Sequence, residues 1–370
     1  MSALPGGWSR PGENVSWAAM LLRDVLAEAT GAAAGVEITA LAYDHRRAGP
    51  GVLFFCVRGL TRDGHDFAAQ AAASGAAALV VDHELDVALP QVVVADVRAS
   101  MAPAAAALAG DPTAALRMVG VTGTNGKTTT AYLTRALLEA GGLRTGMLGT
   151  VEQVVGGAAE PAVRTTPEAI DLQPTFAAMR AAGDVACVME VSSHALELHR
   201  ADAIHWDVAI FTNLTQDHLD FHPTMADYFA AKQRLFDTGP ALAVVNVDDP
   251  YGRQLAGELP GALTVGIDAP GAALRATDVT SGFAGSRFRL GELALEVALP
   301  GRFNVLNALG VLFTLGLLIP WAAVRTVRYK LERITLQSED GLAGFLATAQ
   351  ENVGAVGDEA GELLGFDFGV

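Results

Sequence analysis

The chain has 370 residues, enough to bury a sizeable core and to form about two or three domains. Its 25 lysines and arginines against 41 aspartates and glutamates leave a formal charge of −16, which argues against a nucleic-acid backbone as partner. Two cysteines, Cys56 and Cys187, lie in apolar strand-like runs and read as buried thiols, not as a disulfide or a reactive pair.

The opening MSALPGGWSRPGENVS has no charged segment followed by an apolar core, so a secretory signal is not expected and the cytoplasm is the expected compartment. Residues 1–112 read as a small α/β module. Trp17 to Thr30 has helical spacing, and Gly51–Val57, Ala77–Val81 and Gln91–Val94 read as short strands. A polar loop, Gly59 to Phe67, leads into an alanine-rich helix, and Asp111-Pro112 makes a natural boundary.

The second module, 113–320, opens on Val119 to Thr130, VGVTGTNGKTTT. The preceding apolar residues predict a strand. Thr128 to Ala140, with Leu133, Ala136, Leu137 and Ala140 at helical spacing, predicts a helix that Gly141-Gly142 stops. A strand, a glycine turn and a helix N-terminus converge backbone N–H groups and the positive end of the helix dipole on an anion. Lys127 would reach outer phosphates, and the Thr128 hydroxyl would ligate Mg²⁺. The generic P-loop pattern has a glycine where this chain has Val121.

Beyond the loop, strand and helix alternate, which predicts a mainly parallel sheet. Asp184–Val191, Val208–Asn213 and Ala241–Val247 read as strands. Each runs into polar residues, at the sheet edge where ligands bind: Glu190 to His194, Asn213 to His218, and Asn246 to Asp249. Leu263 to Leu299 suggests a small antiparallel addition. Ala308 to Val324 carries no charge, and Arg325, Arg328 and Lys330 follow it; Gly310, Gly316 and Pro320 interrupt it, so a buried helix is preferred to a membrane anchor. The tail, 321–370, offers one helix at Ser338–Glu351 and then glycine-rich acidic sequence.

Residue chemistry alone makes Glu190 a Mg²⁺ ligand or a helix cap, His218 a second ligand or a surface histidine, and Lys232 a solvated lysine. A resemblance adds to this. TGTNGKTTT, RTTPEA, MEVSSHAL followed by His199-Arg200, TNLTQDHLDFH and DYFAAKQRLF occur in this order. Together with Leu41 to Arg46 and Gly64 to Phe67, they resemble the Mur ligases of peptidoglycan synthesis, in particular their tripeptide-synthetase branch, over residues 35–312.

The resemblance implies a nucleotide-sugar domain at 1–112 and a central ATP-binding domain at 113–320. It implies that Gly123, Thr124, Asn125, Gly126, Lys127, Thr128 and Thr129 bind ATP phosphates, with Asn304 and Asn307 near the adenine. Thr128, Glu190 and His218 would hold Mg²⁺, and Lys232 would be carbamylated into a further ligand. Lys127, Lys232 and His218 would then carry the catalysis. His45, Thr165, Thr166, Ser192 and Arg200 would grip UDP-N-acetylmuramoyl dipeptide, an anionic substrate that suits an arginine beside hydroxyls. The implied reaction phosphorylates the D-glutamyl side-chain carboxylate with ATP, and the amine of a free amino acid then attacks the acyl phosphate. A monomer is expected.

Two features depart from the family. His45 stands where the family usually has serine. The family's third, Rossmann-like domain needs on the order of 100 residues or more, and neither an Asp-Tyr-Ala-His-like nor an Asp-Asn-Pro-Arg-like motif occurs after Val311. A truncated or frame-shifted gene would give such an ending, and translation of the other frames beyond codon 310 tests it. A remnant that binds without ligating is the alternative. A membrane-attached NTPase is a third reading, and other Mur ligases and folylpolyglutamate synthetase are runners-up within the enzyme class.

Overall fold

The computed structural model describes residues 17–59 and 62–312. The helix expected at Ser338–Glu351 and the apolar stretch beyond Leu312 lie outside the described residues.

The chain begins with β1 (Met20–Leu21), a single helical turn α1 (Leu22–Val25) and β2 (Glu37–Ile38), which pairs antiparallel with β1. Trp17–Thr30 is therefore not the continuous helix that its spacing predicts. Leu22, Val25, Leu26 and Ala29 are all buried, as an amphipathic helix requires, but Leu26 is already extended. Short helices are marginal by themselves, and here the pairing of Met20-Leu21 with Glu37-Ile38 takes the backbone instead.

β3 (Ala40–Ala42), β4 (Val52–Phe55), α2 (Ala68–Ala73), β5 (Ala78–Val81), β6 (Gln91–Val93) and α3 (Val97–Leu108) complete the first module. The strands form one parallel sheet in the order β3-β4-β5-β6. The fully buried runs VLFF and ALVV suit a sheet covered on both faces. Both cysteines are buried and unpaired, as expected.

The second sheet is built on β7 (Arg117–Thr122), followed by α4 (Lys127–Ala140), β8 (Thr145–Leu148), the hairpin β9 (Glu152–Val155) and β10 (Ala158–Pro161), and α5 (Ala169–Ala181). Then come β11 (Ala186–Glu190), α6 (Ser193–Glu197), β12 (Val208–Phe211), α7 (Met225–Asp237), β13 (Leu242–Asn246), α8 (Pro250–Glu258) and β14 (Leu263–Gly266). β15 (Leu274–Gly282), β16 (Gly285–Leu290), β17 (Leu293–Val297) and α9 (Arg302–Leu312) close the described chain. The strand order is β10-β9-β8-β11-β7-β12-β13-β14-β15-β16-β17. β8-β11-β7-β12-β13-β14-β15 are parallel, the β9–β10 hairpin adds antiparallel beside β8, and the second antiparallel addition starts at β15–β16. The expected addition over Leu263–Leu299 is thus corrected at its start, because β14 extends the parallel sheet.

Side-chain alternation along the strands assigns two cores. Val119 and Val121 of β7, with Ala186 and Val188 of β11, face α4 and α9; Met118, Cys187 and Met189 face α5, α7 and α8. In the same alternation Glu190 falls on the α4 side. Ala169 and Ile170, at the start of α5, pack into the core of the first sheet and join the two modules. Ala308 and Leu309 of α9 are buried, which agrees with a core helix for the described part of the apolar segment. Among the described residues no helix is long and apolar enough to cross a membrane.

Phe176 of α5 is fully buried against the second core. Truncating it in Phe176→Ala is expected to lower the unfolding free energy by about 3–5 kcal/mol, measured by urea denaturation.

Candidate functional site

β7 delivers the glycine turn to the N-terminus of α4, beside the carboxyl ends of β11 and β12. Gly123 has φ +147°, and a Cβ there would overlap the Thr212 hydroxyl. Gly126 has φ +90°, and a Cβ would lie 2.7 Å from Asn307 Oδ1. Glycine is therefore required at both places, and the second packs the turn against α9, where the predicted Asn304 and Asn307 are buried and Asn307 Nδ2 donates to Asn304 Oδ1 at 3.3 Å. The turn is braced from β12: Thr124 N donates to Asn213 O at 2.9 Å, and Asn125 N to Asn213 Oδ1 at 2.9 Å.

Glu190 has 0% exposure. Its carboxylate accepts from Thr150 N (2.9 Å), Thr150 Oγ1 (3.1 Å) and Thr128 Oγ1 (2.9 Å). Burial raises its pKa, opposed by the Thr150 amide, the charge of Lys127 and the two hydroxyls. A carboxylate beside a hydroxyl at the mouth of a phosphate loop is a hard oxygen donor set of the kind Mg²⁺ takes, so the expected pair Thr128 and Glu190 fits that ion. Thr129, next in α4, follows the two residues that turn into the site.

Lys127 Nζ folds back onto the carbonyls of Gly123 (3.0 Å) and Thr124 (3.1 Å). Lys232, on α7, is 1% exposed, and its Nζ also donates to Gly123 O at 3.0 Å while lying 4.6 Å from the Tyr228 ring centre. The solvated lysine favoured by residue chemistry alone is thus corrected: α7 turns this face inward, with Tyr228, Leu235 and Phe236. Tyr228 Oη lies 3.2 Å from Thr124 Oγ1. His218, at φ +51°, stands edge-on to Tyr228, with ring centres 5.9 Å apart, and against His194 at 4.9 Å. Burial, then neighbouring positive groups, pushes His194 down to about 3 and His222 to about 4, so both imidazoles stay neutral.

The expected substrate residues form a second row. Thr150 Oγ1 lies 3.2 Å from Thr165 Oγ1, and Thr166 Oγ1 donates to the Glu190 carbonyl (3.0 Å). Ser192 N donates to Thr166 Oγ1 at 3.2 Å, while the Ser192 hydroxyl caps α6 by accepting from Ala195 N. Arg200 is paired at 2.9 Å with the buried Glu168, which Arg98 (3.3 Å) and Arg164 (3.6 Å) also approach. His45 stacks on Phe67 at 4.4 Å. From the same stretch it is Tyr43 and Arg47 that line a cleft of about 150 Å³ with Gly149, Arg164, Glu168 and Asp171, between the two modules. Sequence reasoning missed Thr150, Tyr228, Glu168 and Arg47. The Glu in RTTPEA was the one available signal, since an acid next to a helix start and among arginines invites pairing.

A glycine turn between a parallel strand and a helix, faced by a buried carboxylate, defines a P-loop type of phosphate site. Residues 121–315 match the sequence model of the Mur ligase middle domain, and residues 37–111 that of the Mur ligase family catalytic domain. The chain belongs to the Mur ligase family. It is 42% identical over 319 residues to a UDP-N-acetylmuramyl-tripeptide synthetase of Deinococcus radiodurans, covering 84% of this chain and 62% of that protein. It is 44% identical over 311 residues to a UDP-N-acetylmuramoyl-L-alanyl-D-glutamate–2,6-diaminopimelate ligase of Streptomyces coelicolor, covering 79% of this chain and 60% of that protein. A solved structure of a ligase of the latter name superposes with a TM-score of 0.75 at 27% identity, over 87% of this chain and 68% of that one. The chain thus spans less than two thirds of the curated relatives it matches. Residues 286–363 also match a family described as a bacterial protein of unknown function.

The raised pKa of Glu190 sets a sign. The folded state holds the proton more tightly than the unfolded chain, so stability falls as pH rises through the raised value, while the ionised form, the one a cation would take, fills over the same range. Mg²⁺-dependent nucleotide binding is expected to strengthen from acid to neutral pH. Glu190→Gln should flatten that rise and weaken binding by at least the roughly 10–100-fold that losing even an outer partner of a metal ligand costs, measured by calorimetric titration.

Proposed function

We propose that this chain binds Mg²⁺-ATP and UDP-N-acetylmuramoyl-L-alanyl-D-glutamate and transfers the γ-phosphoryl group to the glutamyl side-chain carboxylate, so that the amine of a free amino acid can displace phosphate. The observation that carries this reading is a shared loop. The phosphate turn Gly123–Thr129, Glu190 and Lys232 are joined by hydrogen bonds, and Glu190 is joined in turn through Thr150 and Thr166 to the threonine–arginine row. The relatives' names place them on UDP-muramoyl peptides with an amino acid, which supports the same substrate class here.

Each residue has a physical task in this proposal. Backbone N–H groups of the turn and Lys127 bind the triphosphate. Thr128, Glu190 and His218, with Lys232 once carbamylated, would hold Mg²⁺, which when bound offsets the repulsion between a carboxylate and a triphosphate. Arg200, Thr165 and Thr166 orient the anionic dipeptide, with Arg47 and Tyr43 across the cleft. Asn304 and Asn307 hold α9 against the turn, beside the nucleotide.

Lys127 and Lys232 both donate to the Gly123 carbonyl. Two ammonium groups on one oxygen repel each other; loss of a proton from the Lys232 ammonium, addition of CO₂ to the resulting amine and loss of a second proton replace one cation by an anion. Incubation with ¹³C-bicarbonate is expected to give a carbamate carbon resonance that is absent in Lys232→Ala. A spectrum identical in both proteins removes Lys232 as a metal ligand.

A second reading, binding without ligation, is favoured by the Mur ligase match ending at residue 315 while residues 286–363 match another family. The deciding assay mixes the full chain with Mg²⁺-ATP, the UDP-muramoyl dipeptide and a panel of amino acids and follows phosphate release. Release that needs both dipeptide and amino acid supports the ligase. Saturable binding of nucleotide and dipeptide with no release selects the second reading.

A further inference from the structure

A separate group of side chains lies on the first module, at the carboxyl ends of β4 and β5. Asp82 and His83 directly follow β5, and His65 sits in the short turn 64–67 that leads into α2. One donor atom from each of His65, Asp82 and His83 lies within 4.8 Å of the other two.

The hydrogen bonds around His65 fix how it presents its lone pair. Its Nδ1 lies 2.6 Å from Asp63 Oδ1, which cannot donate, so Nδ1 carries the hydrogen. The Asp82 backbone N–H donates to its Nε2 at 3.3 Å, so Nε2 accepts. Yet the same Nε2 lies 3.2 Å from Asp82 Oδ1, another acceptor, and His83 Nδ1 is in close contact with that oxygen. His83 Nδ1 can donate to that oxygen, but His65 Nε2 and Asp82 Oδ1 are two acceptors side by side, and a cation between them would relieve the contact, taking the Nε2 lone pair in place of the long Asp82 N–H bond.

The surroundings fit a cation. Arg58 Nε holds Asp82 Oδ2 at 2.7 Å, with a longer contact of 3.3 Å from Nη2 to Oδ1. Asp63 and Asp82 against Arg58 leave one net negative charge. His65 is 6% exposed, Asp82 24% and His83 55%, so the group has a rigid inner side and an outer side open to water. The Asp63–His65 contact is the carboxylate–imidazole pairing that orients histidine ligands in metal sites.

We propose that His65, Asp82 and His83 form a binding site for a divalent transition metal of the zinc type, with a water-filled outer position. Two imidazoles and one carboxylate suit Zn²⁺ or Co²⁺, whereas Mg²⁺ and Ca²⁺ prefer oxygen-only sets. The ion would tie the turn at Gly64–Phe67 to the end of β5 and stiffen the carboxyl edge of the first sheet. This site shares no residue with the phosphate loop and does not depend on the ligase reading.

The test is a Zn²⁺ titration of the metal-free full chain against a chromophoric chelator, with Co²⁺ absorption to report the ligand geometry. One zinc per chain is expected, together with a rise in melting temperature. His83→Ala removes an exposed side chain, so circular dichroism should be unchanged while that equivalent of zinc is lost. Asp63→Asn should bind zinc about 10–100-fold more weakly. His205→Ala, which removes a surface histidine paired with Asp111, should bind as the parent does. Zinc affinity and stoichiometry unchanged in His83→Ala would place the ion elsewhere, first among the histidines around His218, and would overturn the proposal. Absence of zinc binding in the parent would do the same.

Discussion

A fully buried carboxylate at the end of β11 sets the terms for the rest of the central module. Desolvating a charge is expensive unless hydrogen bonds and opposite charge replace water. Glu190 receives both from two separate segments: the start of α4, where Thr128 donates and Lys127 acts through space, and Thr150 after β8. The strand order β8-β11-β7 is what brings those segments together. A different neighbour for β11 would leave the carboxylate without its donors. The phosphate turn and the acid that faces it are therefore one construction.

The junction between the modules solves a similar problem with larger charges. Burial pushes the Glu168 carboxyl up, but Arg200, Arg98 and Arg164 together outweigh it and hold it below the ordinary range. Arg98 comes from α3 of the first module, and Arg164 and Arg200 come from the second. Arg47 adds a pair to Asp171 across the same boundary at 3.6 Å. With Ala169 and Ile170 packed into the first core, α5 fixes how the cleft beside Tyr43 is framed. The anionic substrate proposed above would meet arginines whose positions are already set by an internal acid, so little reorganisation would be needed on binding.

Most of the parallel strands were legible because they are short, apolar and bounded by glycine or polar residues, and the turn after β7 was legible from glycine spacing alone. Trp17–Thr30 misled because burial of one face is common to a helix and to a strand-turn segment, and only the partner at Glu37-Ile38 decides. The hairpin Glu152–Pro161 left little trace, since Gly156-Gly157 was its one turn signal. Site residues divided along the same line. Lys127 and Thr128 could be read from local order, whereas the burial of Lys232 depends on which face α7 presents to β7, a non-local fact. Thr150 was invisible because its role is to donate to an acid 40 positions away.

The histidines near α7 extend this logic from charge placement to chemistry. His194 and His222 are held neutral mainly by burial, and the nearby cationic Lys232 adds to that effect. Neutral imidazoles keep a lone pair available, which suits ligands or acceptors better than acids. His218 adopts a left-handed backbone at φ +51°, uncommon for a residue other than glycine, and its amide is held by its neighbour Asp217 at 2.9 Å. Strain of that kind persists where surrounding contacts dictate it, and here the surroundings are Tyr228 and His194. A second cation near Gly123 fits poorly with a site that must gather a triphosphate and a metal ion together. An anionic Lys232 would relieve the contact with Lys127 and add an oxygen donor near the Gly123 turn, while burial would still hold His194 and His222 neutral. In the proposed mechanism one change at one side chain would thus relieve the pair of cations on Gly123 and supply an oxygen donor at the same place.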